Sequence, residues 1–357
     1  MSDGVRYVRA AGDHVTIGRR HGQALAAELR EFVADGLCRL HHVMPTPVPL
    51  DSLRATIEAY RRVVTAHLPG LADEVQGLAD GAGLSLDEAW LLQLRREVMG
   101  YLKVGAAAEC TTYARAGAAG GAGGGVLAQT IDLNGNLDDQ LTVLDVAPTG
   151  GRGRALVLSF AGLVGYLGVN SAGLAVGLNL VLGGDWRPGV PPYLAIRHLL
   201  DTASSVDQAI ALLRGLPLAS SRSFTLCDST KAAWVEVLGD QLRVTEAGQT
   251  VHTNHFLDPD LVPYDEINVF SRNSSVRRLE SCVDRLAALP EQAPAEDHFG
   301  VLSAPPICVP DDGDIRRERT VAAVVMLPER GELHLRPGDP SRSRTQVFGL
   351  SQVGASW

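Results

Sequence analysis

The sequence has 357 residues, of which 45% are hydrophobic and 20% are charged, and its formal net charge is -9. This composition is typical of a globular domain with a large core. The acidic balance and the lack of long basic runs argue against nucleic acid as a partner, because binding to phosphates requires clustered Lys and Arg.

Two segments of the sequence bear on whether the protein is secreted or spans a membrane. The N-terminal stretch MSDGVRYVRAAGDH is polar and lacks the apolar centre of a secretory signal. Residues 159–184 carry no charge and are long enough to span a bilayer, but they contain seven glycines and two asparagines. That composition is typical of buried strands joined by tight turns, so we expect core sheet and no membrane partner.

The cysteines are scattered along the chain and form no CxxC pair. They are Cys38, Cys110, Cys227, Cys282 and Cys308. Their spacing predicts neither a zinc site nor a disulfide framework, and a reducing, cytoplasmic location fits best.

The first hundred residues have the pattern of helices. Apolar residues recur every three or four positions over 17–32 and again over 53–68. Ser85 and Glu88 have the spacing of a capping box that opens a further helix. We therefore predict a helical N-terminal segment over residues 1–109.

The pattern changes at Cys110. Short β-branched runs separated by Gly and Asn turns follow to about residue 184, and then come helices, more strands, a helix near 274–289 and two last strands. This order predicts an α+β domain of sheets covered by helices, not an alternating βαβ fold. The glycine run 117–125 lacks the Lys-Ser/Thr of a phosphate loop and is predicted to be a hairpin tip.

Cys110 is the candidate nucleophile, because it stands where the helical segment ends and the first strand begins. If the chain were cut before it, Cys110 would carry a free α-amino group with a pKa of about 7.7–8.0. The same residue would then hold both nucleophile and base, and no separate catalytic histidine would be needed.

Several short motifs occur in one order along nearly the whole chain. They are Leu94–Glu97, Cys110–Thr112, Gln129–Asp132, Gly168–Gly173, Ala219–Ser221 and Val251–His255. In this order they resemble the acyl-coenzyme A:6-aminopenicillanic acid acyltransferase family. This family, also called isopenicillin N acyltransferase-like or peptidase family C45, consists of cysteine N-terminal-nucleophile (Ntn) hydrolases.

The resemblance implies a four-layer αββα sandwich, in which two stacked antiparallel sheets lie between helical layers. Residues 1–109 and 110–357 would form one structural domain, cut between Glu109 and Cys110 by the chain itself. A Cys110 thioester would then pass an acyl group from a small-molecule donor to an amine or to water. No cofactor is expected. Coenzyme A and an acyl carrier protein stay open as carriers of the acyl group, and an oligomer also stays open.

Three further residues are catalytic candidates. Asp132 can orient and stabilise the new ammonium group, or it is an ordinary turn carboxylate. Asn254 can donate an N–H to a developing oxyanion, or it is a turn residue that ends a strand. Arg317 is the position that corresponds to a family arginine near the nucleophile, with Arg316 and Arg319 as alternatives.

Two residues are candidates for the substrate pocket. Ser221 offers a hydroxyl or is a small buried residue, and Asn170 supports a loop near the site. His252 and His255 have HxxH spacing, but residues three apart on a strand point to opposite faces, so no metal site is predicted. Either histidine could instead be the base of an intact cysteine hydrolase.

The sequence also departs from the family pattern. Glu109 stands where the fungal member has Gly, and Gln129-Thr130 replaces the usual Gln-Asn. Cys308 is followed by Val309 where the family often has Arg. The substrate therefore cannot be inferred from penicillin chemistry. Glu109 also leaves open a non-catalytic binding or scaffold protein that is never processed.

Overall fold

The computed structural model describes residues 4–101, 110–117 and 124–350. Its helices are α1 His14–Ala24, α2 Ala26–Ala34, α3 Leu40–Val43, α4 Leu50–His67, α5 Pro69–Ala82, α6 Leu86–Tyr101, α7 Pro192–Thr202, α8 Val206–Arg214, α9 Val269–Ala288 and α10 Ala295–Leu302. Its strands are β1 Arg6–Gly12, β2 Thr112–Arg115, β3 Val126–Leu133, β4 Leu141–Pro148, β5 Ala155–Phe160, β6 Leu167–Asn170, β7 Ala175–Leu180, β8 Arg222–Cys227, β9 Ala232–Leu238, β10 Gln241–Ala247, β11 Gln249–His252, β12 Arg319–Leu327, β13 Glu332–Pro337 and β14 Gln346–Gly349.

The strands form two sheets that face each other. The first sheet has the order β1-β4-β5-β6-β7-β8-β9-β10, and the second has the order β11-β2-β3-β12-β13-β14. Strands β2 and β3 of the second sheet contact β7 and β8 of the first, whereas α7 and α8 pack on the first sheet and α9 and α10 on the second. The predicted four-layer αββα architecture is confirmed.

The N-terminal segment differs in one respect from its prediction as purely helical. Residues Arg6–Gly12 form β1, which pairs in parallel with β4 over its full length. Both sheets are otherwise antiparallel. This edge strand has one face in solvent and carries two arginines, so its pattern is not that of a core strand.

Strand β3 shows why the sheets stack as they do. Val126 and Ala128 pack with α9 and α10, whereas Leu127 and Ile131 belong to the core shared with the first sheet. Between them, the Gln129 side chain donates to the Leu178 carbonyl at 2.7 Å and accepts from the Leu178 N–H at 3.0 Å. One side-chain amide thus joins the two sheets.

Helices α1 and α5 pack backbone against backbone. A Cβ atom at Gly18 would lie 1.9 Å from the carbonyl oxygen of Glu74, and one at Gly77 would lie 2.2 Å from the carbonyl oxygen of Val15. No real Cβ approaches that closely, so only glycine allows this contact. The helix pair in turn packs on β1 and β4.

Other local predictions vary in outcome. The predicted helix over 17–32 is two helices that meet at Leu25. The capping box at Ser85 is confirmed, because its backbone N–H donates to Glu88 at 2.7 Å. Strands β2 and β3 form the predicted hairpin, although residues 118–123 of its tip lie outside the described residues.

Within the described parts of the chain, no helix is long and apolar enough to cross a membrane.

Candidate active site

Cys110 lies at the entry to β2, between the two sheets. Its side chain is buried, with the whole residue 3% exposed. The next residue is locked to β3, because Thr111 donates its N–H to Thr130 Oγ1 at 3.1 Å and accepts from the Thr130 N–H at 2.9 Å. The register of β2 and β3 therefore fixes where Cys110 stands.

Three buried polar side chains converge on the main chain of Cys110. Its N–H donates to Asn254 Oδ1 at 2.7 Å. Its carbonyl oxygen accepts from Asn179 Nδ2 at 3.0 Å and from Arg278 Nη1 at 2.8 Å. Asn179 comes from β7, Asn254 follows β11 and Arg278 comes from α9, so three of the four layers contribute to this point.

Both the side chain and the backbone of Asn254 are held by hydrogen bonds. Its Nδ2 donates to the Leu180 carbonyl at 2.9 Å, and its Oδ1 also accepts from Arg278 Nη2 at 2.9 Å. Its backbone N–H donates to Ser275 Oγ at 2.8 Å, which ties the end of β11 to α9. The orientation of its side-chain amide toward Cys110 is fixed before any ligand binds.

Asp132 lies close enough to Cys110 for its charge to act on the thiol, and its role toward the ammonium stays a prediction. The buried Asp132 carboxylate accepts from Thr320 Oγ1 at 2.6 Å. Burial raises the pKa of the Cys110 thiol to about 12, and the negative charge of Asp132 adds to the rise, while Arg278 and Arg96 oppose it. The thiol in this environment is protonated at neutral pH.

The buried side chains of His252 and Glu236 form a pair at the end of β11. His252 Nε2 lies 2.7 Å from Glu236 Oε1, and His252 Nδ1 lies 2.8 Å from the Thr253 carbonyl oxygen. Both partners of the ring are oxygen atoms that can accept a hydrogen bond. The same Glu236 carboxylate accepts from the backbone N–H groups of Leu257 and Asp258 at 2.7 and 3.0 Å.

Neither histidine ring of the HxxH pair has a hydrogen bond to Cys110. His255 Nδ1 lies 2.8 Å from Ser275 Oγ, and burial lowers its pKa to about 4. The two rings bind different partners and do not converge. Over residues 4–101, 110–117 and 124–350, no group of three or more His, Cys, Asp or Glu side chains is arranged to hold a metal ion.

The structure does not bring Arg317 to Cys110. Its side chain is 72% exposed and pairs with Asp312 at 3.0 Å. The alternative Arg316 pairs with Asp314 at 2.8 Å in solvent. Arg319, at the start of β12, pairs with Asp138 and Asp311. The predicted role of an arginine in this segment stays a prediction.

Ser221 and Asn170 have their hydrogen-bonding groups engaged within the fold. Ser221 Oγ donates to the Val181 carbonyl at 2.7 Å and accepts from Trp186 Nε1 at 3.0 Å. Asn170 uses both ends of its amide: it accepts from two N–H groups of its own turn and donates to two carbonyls at the end of α7. Both are buried, and their proposed contact with substrate remains untested. Glu109 lies outside the described residues.

Sequence reasoning missed Arg278 and Asn179. Arg278 lies on the buried stripe of α9, where Ser275, Cys282 and Leu286 are the other members, and a lone arginine in such a stripe is a detectable signal. Asn179 lies between two leucines in the uncharged strand β7. A polar residue in a fully buried strand is likewise informative.

Comparison with known proteins decides the family. The family model described as acyl-coenzyme A:6-aminopenicillanic acid acyl-transferase matches residues 119–342.

The chain belongs to this family.

A relative in the acyl-transferase family is the 40 kDa form of acyl-coenzyme A:6-aminopenicillanic-acid-acyltransferase from Emericella nidulans. It is 28% identical over 258 residues, which cover 70% of this chain and 69% of the relative. The chain is therefore an enzyme that acts on amide bonds, of the acyltransferase or amidase type, and the family implies a small-molecule acyl donor and an amine acceptor.

Solved structures show the same fold. Penicillin V acylase from Agrobacterium tumefaciens has a TM-score of 0.50 at 16% identity, covering 68% of this chain and 87% of that chain. A mutant conjugated bile acid hydrolase from Clostridium perfringens also has a TM-score of 0.50, at 12% identity, covering 69% and 93%. This acyl-transferase family member thus has the Ntn-hydrolase fold.

Proposed function

We propose that this enzyme is a cysteine Ntn acyltransferase or amidohydrolase, and that Cys110 becomes its N-terminal nucleophile through self-cleavage after Glu109. The observation that carries the proposal is the set of hydrogen bonds on the Cys110 main chain. Asn254 accepts from the Cys110 nitrogen at 2.7 Å, and that nitrogen is the atom that would become the catalytic amine. The same Asn254 oxygen accepts from Arg278, which also binds the Cys110 carbonyl, so both ends of the Cys110 main chain are held by one buried polar network.

The buried thiol needs a base, and the free α-amino group is the nearest available one. A thiol whose pKa is raised to about 12 gives almost no thiolate at neutral pH. An α-amino group with a pKa of about 7.7–8.0 can accept its proton, and the resulting ammonium stabilises the thiolate through its charge. Neither His252 nor His255 has a hydrogen bond to Cys110, so the intact hydrolase with a histidine base is not favoured.

Maturation proceeds in two steps. Cys110 Sγ attacks the Glu109 carbonyl carbon, the C–N bond breaks as the nitrogen takes a proton, and a thioester links the two fragments. Water then hydrolyses this thioester and frees both the thiol and the α-amine. Arg278, bound to the Cys110 carbonyl at 2.8 Å, holds the residue in place while the peptide bond before it breaks.

The same groups then act on substrate. The amine takes the thiol proton, Sγ bonds to the substrate acyl carbon, and the carbonyl oxygen becomes an oxyanion. Asn254 has a second Nδ2 hydrogen available for that oxyanion, since one N–H is bound to Leu180. The ammonium, charge-stabilised by Asp132, returns its proton to the leaving amine, and the thioester is resolved by an amine or by water.

The proposal requires no cofactor. An acyl group on coenzyme A or on a carrier protein would enter as substrate, and its thioester carbon would be attacked by Cys110 in the same way. Transferase and hydrolase activity then differ only in which nucleophile reaches the acyl-enzyme first.

Intact-mass spectrometry of the purified protein, with sequencing of the fragment that begins Cys110-Thr111-Thr112, tests the processing step. Cys110→Ala should leave the chain whole and inactive, and Cys110→Ser should process slowly or not at all, because a hydroxyl is the weaker nucleophile near neutral pH. Cys282→Ala is the matched control, since Cys282 is a buried thiol of α9 that packs in an apolar cluster with Leu286 and Phe299, and it should process and turn over acyl amides normally.

The chemistry is tested by incubating the protein with a panel of acyl amides and acyl thioesters and looking for the mass of a covalent acyl-enzyme. Full-length protein that is active as one chain, or activity that survives in Cys110→Ala, contradicts the proposal. A chain that stays whole and turns over nothing supports the non-catalytic alternative on the same fold.

A further inference from the structure

The turn that carries Asn254 begins where β11 ends, at His252. Residues 253–257 make no backbone-to-backbone hydrogen bond within the described part of the chain. All of them except Leu257 are buried. Because buried main-chain groups need partners, the shape of this turn depends on side chains from other elements. Those side chains decide where Asn254 stands.

One carboxylate binds the chain on both sides of Asn254. Glu236, on β9 of the first sheet, accepts from the backbone N–H groups of Leu257 and Asp258 at 2.7 and 3.0 Å. Its Oε1 also lies 2.7 Å from His252 Nε2, two residues before Asn254. Glu236 and His252 are both fully buried. A single side chain therefore ties the beginning of the turn to its end.

The register of the first sheet aligns Glu236 with the site. Glu236 on β9 is paired with Ser223 on β8, and Ser223 is paired with Asn179 on β7. Directly paired residues on neighbouring strands point their side chains to the same face of a sheet. Asn179 uses that face to donate to the Cys110 carbonyl at 3.0 Å. One row of the first sheet therefore holds both Cys110 and the turn that carries Asn254.

The two bonds of the Asn254 side chain leave little room for movement of the turn. Its Oδ1 accepts from the Cys110 N–H at 2.7 Å, and its Nδ2 donates to the Leu180 carbonyl at 2.9 Å. A shift of about 1 Å would stretch one of these bonds beyond hydrogen-bonding distance, and such a misplacement can lower a rate by about 10²-fold. Ser275 on α9 binds the middle of the turn, at residues 253–255, so its two ends depend on Glu236.

We propose that Glu236 is a positioning residue of the active site: it holds both ends of the turn 252–258 and so sets Asn254 against the Cys110 nitrogen and the substrate oxyanion. Glu236 acts on the rate through Asn254 and not by contact with substrate. This inference rests on the proposed function, and it extends the machinery of the site to a residue on β9.

The first test compares two buried carboxylates. Glu236→Gln keeps the size of the side chain but turns an N–H donor toward other donors. The rate of self-cleavage, and kcat with hexanoyl p-nitroanilide, should each fall by about 10- to 100-fold, with KM within about three-fold of wild type. Asp228→Asn is the matched control. Asp228 also accepts from backbone N–H groups, those of Val206, Thr230 and Lys231, but it follows the far end of β8, so its rates should stay within about three-fold.

A double-mutant cycle separates positioning from general support of the fold. In the Asn254→Ala background, Glu236→Gln should lower the rate of self-cleavage and kcat by less than about two-fold, because the residue that Glu236 positions is gone. An equal fall in both backgrounds would overturn the proposal, since a residue that only supports the fold acts whether or not Asn254 is present.

Hydrogen exchange of the Asn254 side-chain amide reports its position without any turnover. The chain has only seven asparagines, so protein labelled with heavy nitrogen in asparagine alone gives a simple NMR spectrum, in which Asn254→Ala assigns the signal. Glu236→Gln should speed the exchange of the Asn254 amide by about 10-fold or more. Asn170 is the internal reference, because its amide is also buried and donates to two carbonyls at the end of α7, and its exchange should not change.

Glu236→Asp, which keeps the carboxylate but shortens its reach, is the second variant if Glu236→Gln does not fold, and it should show the same selective increase in exchange. If neither variant folds while Asp228→Asn does, Glu236 serves the whole fold and the proposal is wrong. Wild-type protein that neither cleaves itself nor turns over substrate refutes the proposed function alone, because exchange still shows how Glu236 acts on Asn254. Active protein in which Glu236→Gln leaves the Asn254 exchange unchanged refutes this inference alone.

Discussion

Replacing Arg278 by Gln should disable the site while leaving the fold intact. Arg278 Nη1 and Nη2 lie 2.8 and 2.9 Å from the Cys110 carbonyl and from Asn254 Oδ1, and Nη1 is also 3.2 Å from Thr111 Oγ1. The side chain is fully buried. A hydrogen bond to a charged group contributes about 1.5–3 kcal/mol, so the two short bonds amount to roughly 3–6 kcal/mol gross.

The free-energy cost of burying the Arg278 charge offsets much of that energy, so the net loss of stability in Arg278→Gln should be only about 1–3 kcal/mol. The effect on chemistry should be larger, because the positive charge of Arg278 also favours the thiolate. We expect self-cleavage and kcat/KM to fall by about 10²–10³, as with the loss of a preorganised donor. Arg278→Lys should retain only part of the self-cleavage rate and of kcat/KM, since one ammonium group cannot match the forked geometry of a guanidinium.

Arg277→Gln is the control, because Arg277 is the neighbouring, exposed residue of the same helix. The rate of fragment formation by mass spectrometry, kcat/KM and the thermal midpoint are measured for all three variants and wild type. If Arg278→Gln keeps kcat/KM within about three-fold of wild type and folds normally, the role given to Arg278 is wrong.

Three other perturbations probe separate parts of the structure. Asn254→Ala should lower the rate of turnover by about 10²–10³, and a near-wild-type rate would remove Asn254 from the site. The folded pKa of buried His21 is about 4, below its unfolded value of 6.5, so the unfolded state gains a proton first and stability falls as the pH drops from 6.5 to 4. In urea titrations, His21→Leu should reduce that fall by about 3 kcal/mol, and an unchanged pH profile would contradict the assignment. Gly77→Ala should cost at least about 1–3 kcal/mol, because its Cβ would lie 2.2 Å from the Val15 carbonyl, whereas Gly300→Ala on an open face of α10 should be neutral or stabilising. Equal thermal midpoints for these two variants would argue against the α1–α5 contact.

The strands around the site were largely predictable from the sequence. The position of Cys110 at a helix-to-strand switch and the motif ending at Asp132 place both residues on paired strands, and the structure brings Asp132 and Asn254 to Cys110. The pleat and the register of short buried strands determine these contacts, and both follow from local patterns.

Arg278 could not be located in the same way. It is 168 residues along the chain from Cys110, and its contact depends on how α9 packs over the second sheet. The sequence pointed instead to Arg317, which pairs with Asp312 in solvent. Local spacing does not tell whether an arginine faces inward, because that depends on tertiary packing.

Helix α5 lies within the segment predicted as helical, but its own bounds could not be predicted, and the reason is physical as well. Its sequence PGLADEVQGLADGA contains three glycines, which lower helix propensity. Gly77 and Gly81 do not serve the helix by itself: they allow the close approach of α1. Tertiary contact compensates for the weak local preference, and no single-helix pattern reveals that.

The parallel pairing of β1 with β4 has a consequence for how maturation can be observed. The two strands are joined over seven register positions, and they belong to opposite sides of the proposed cut. Cleavage would therefore leave a nicked particle whose halves stay interleaved and migrate together under native conditions. Size-exclusion chromatography, light scattering and sedimentation would give one mass before and after the event, and only denaturing conditions would reveal that a peptide bond had been lost.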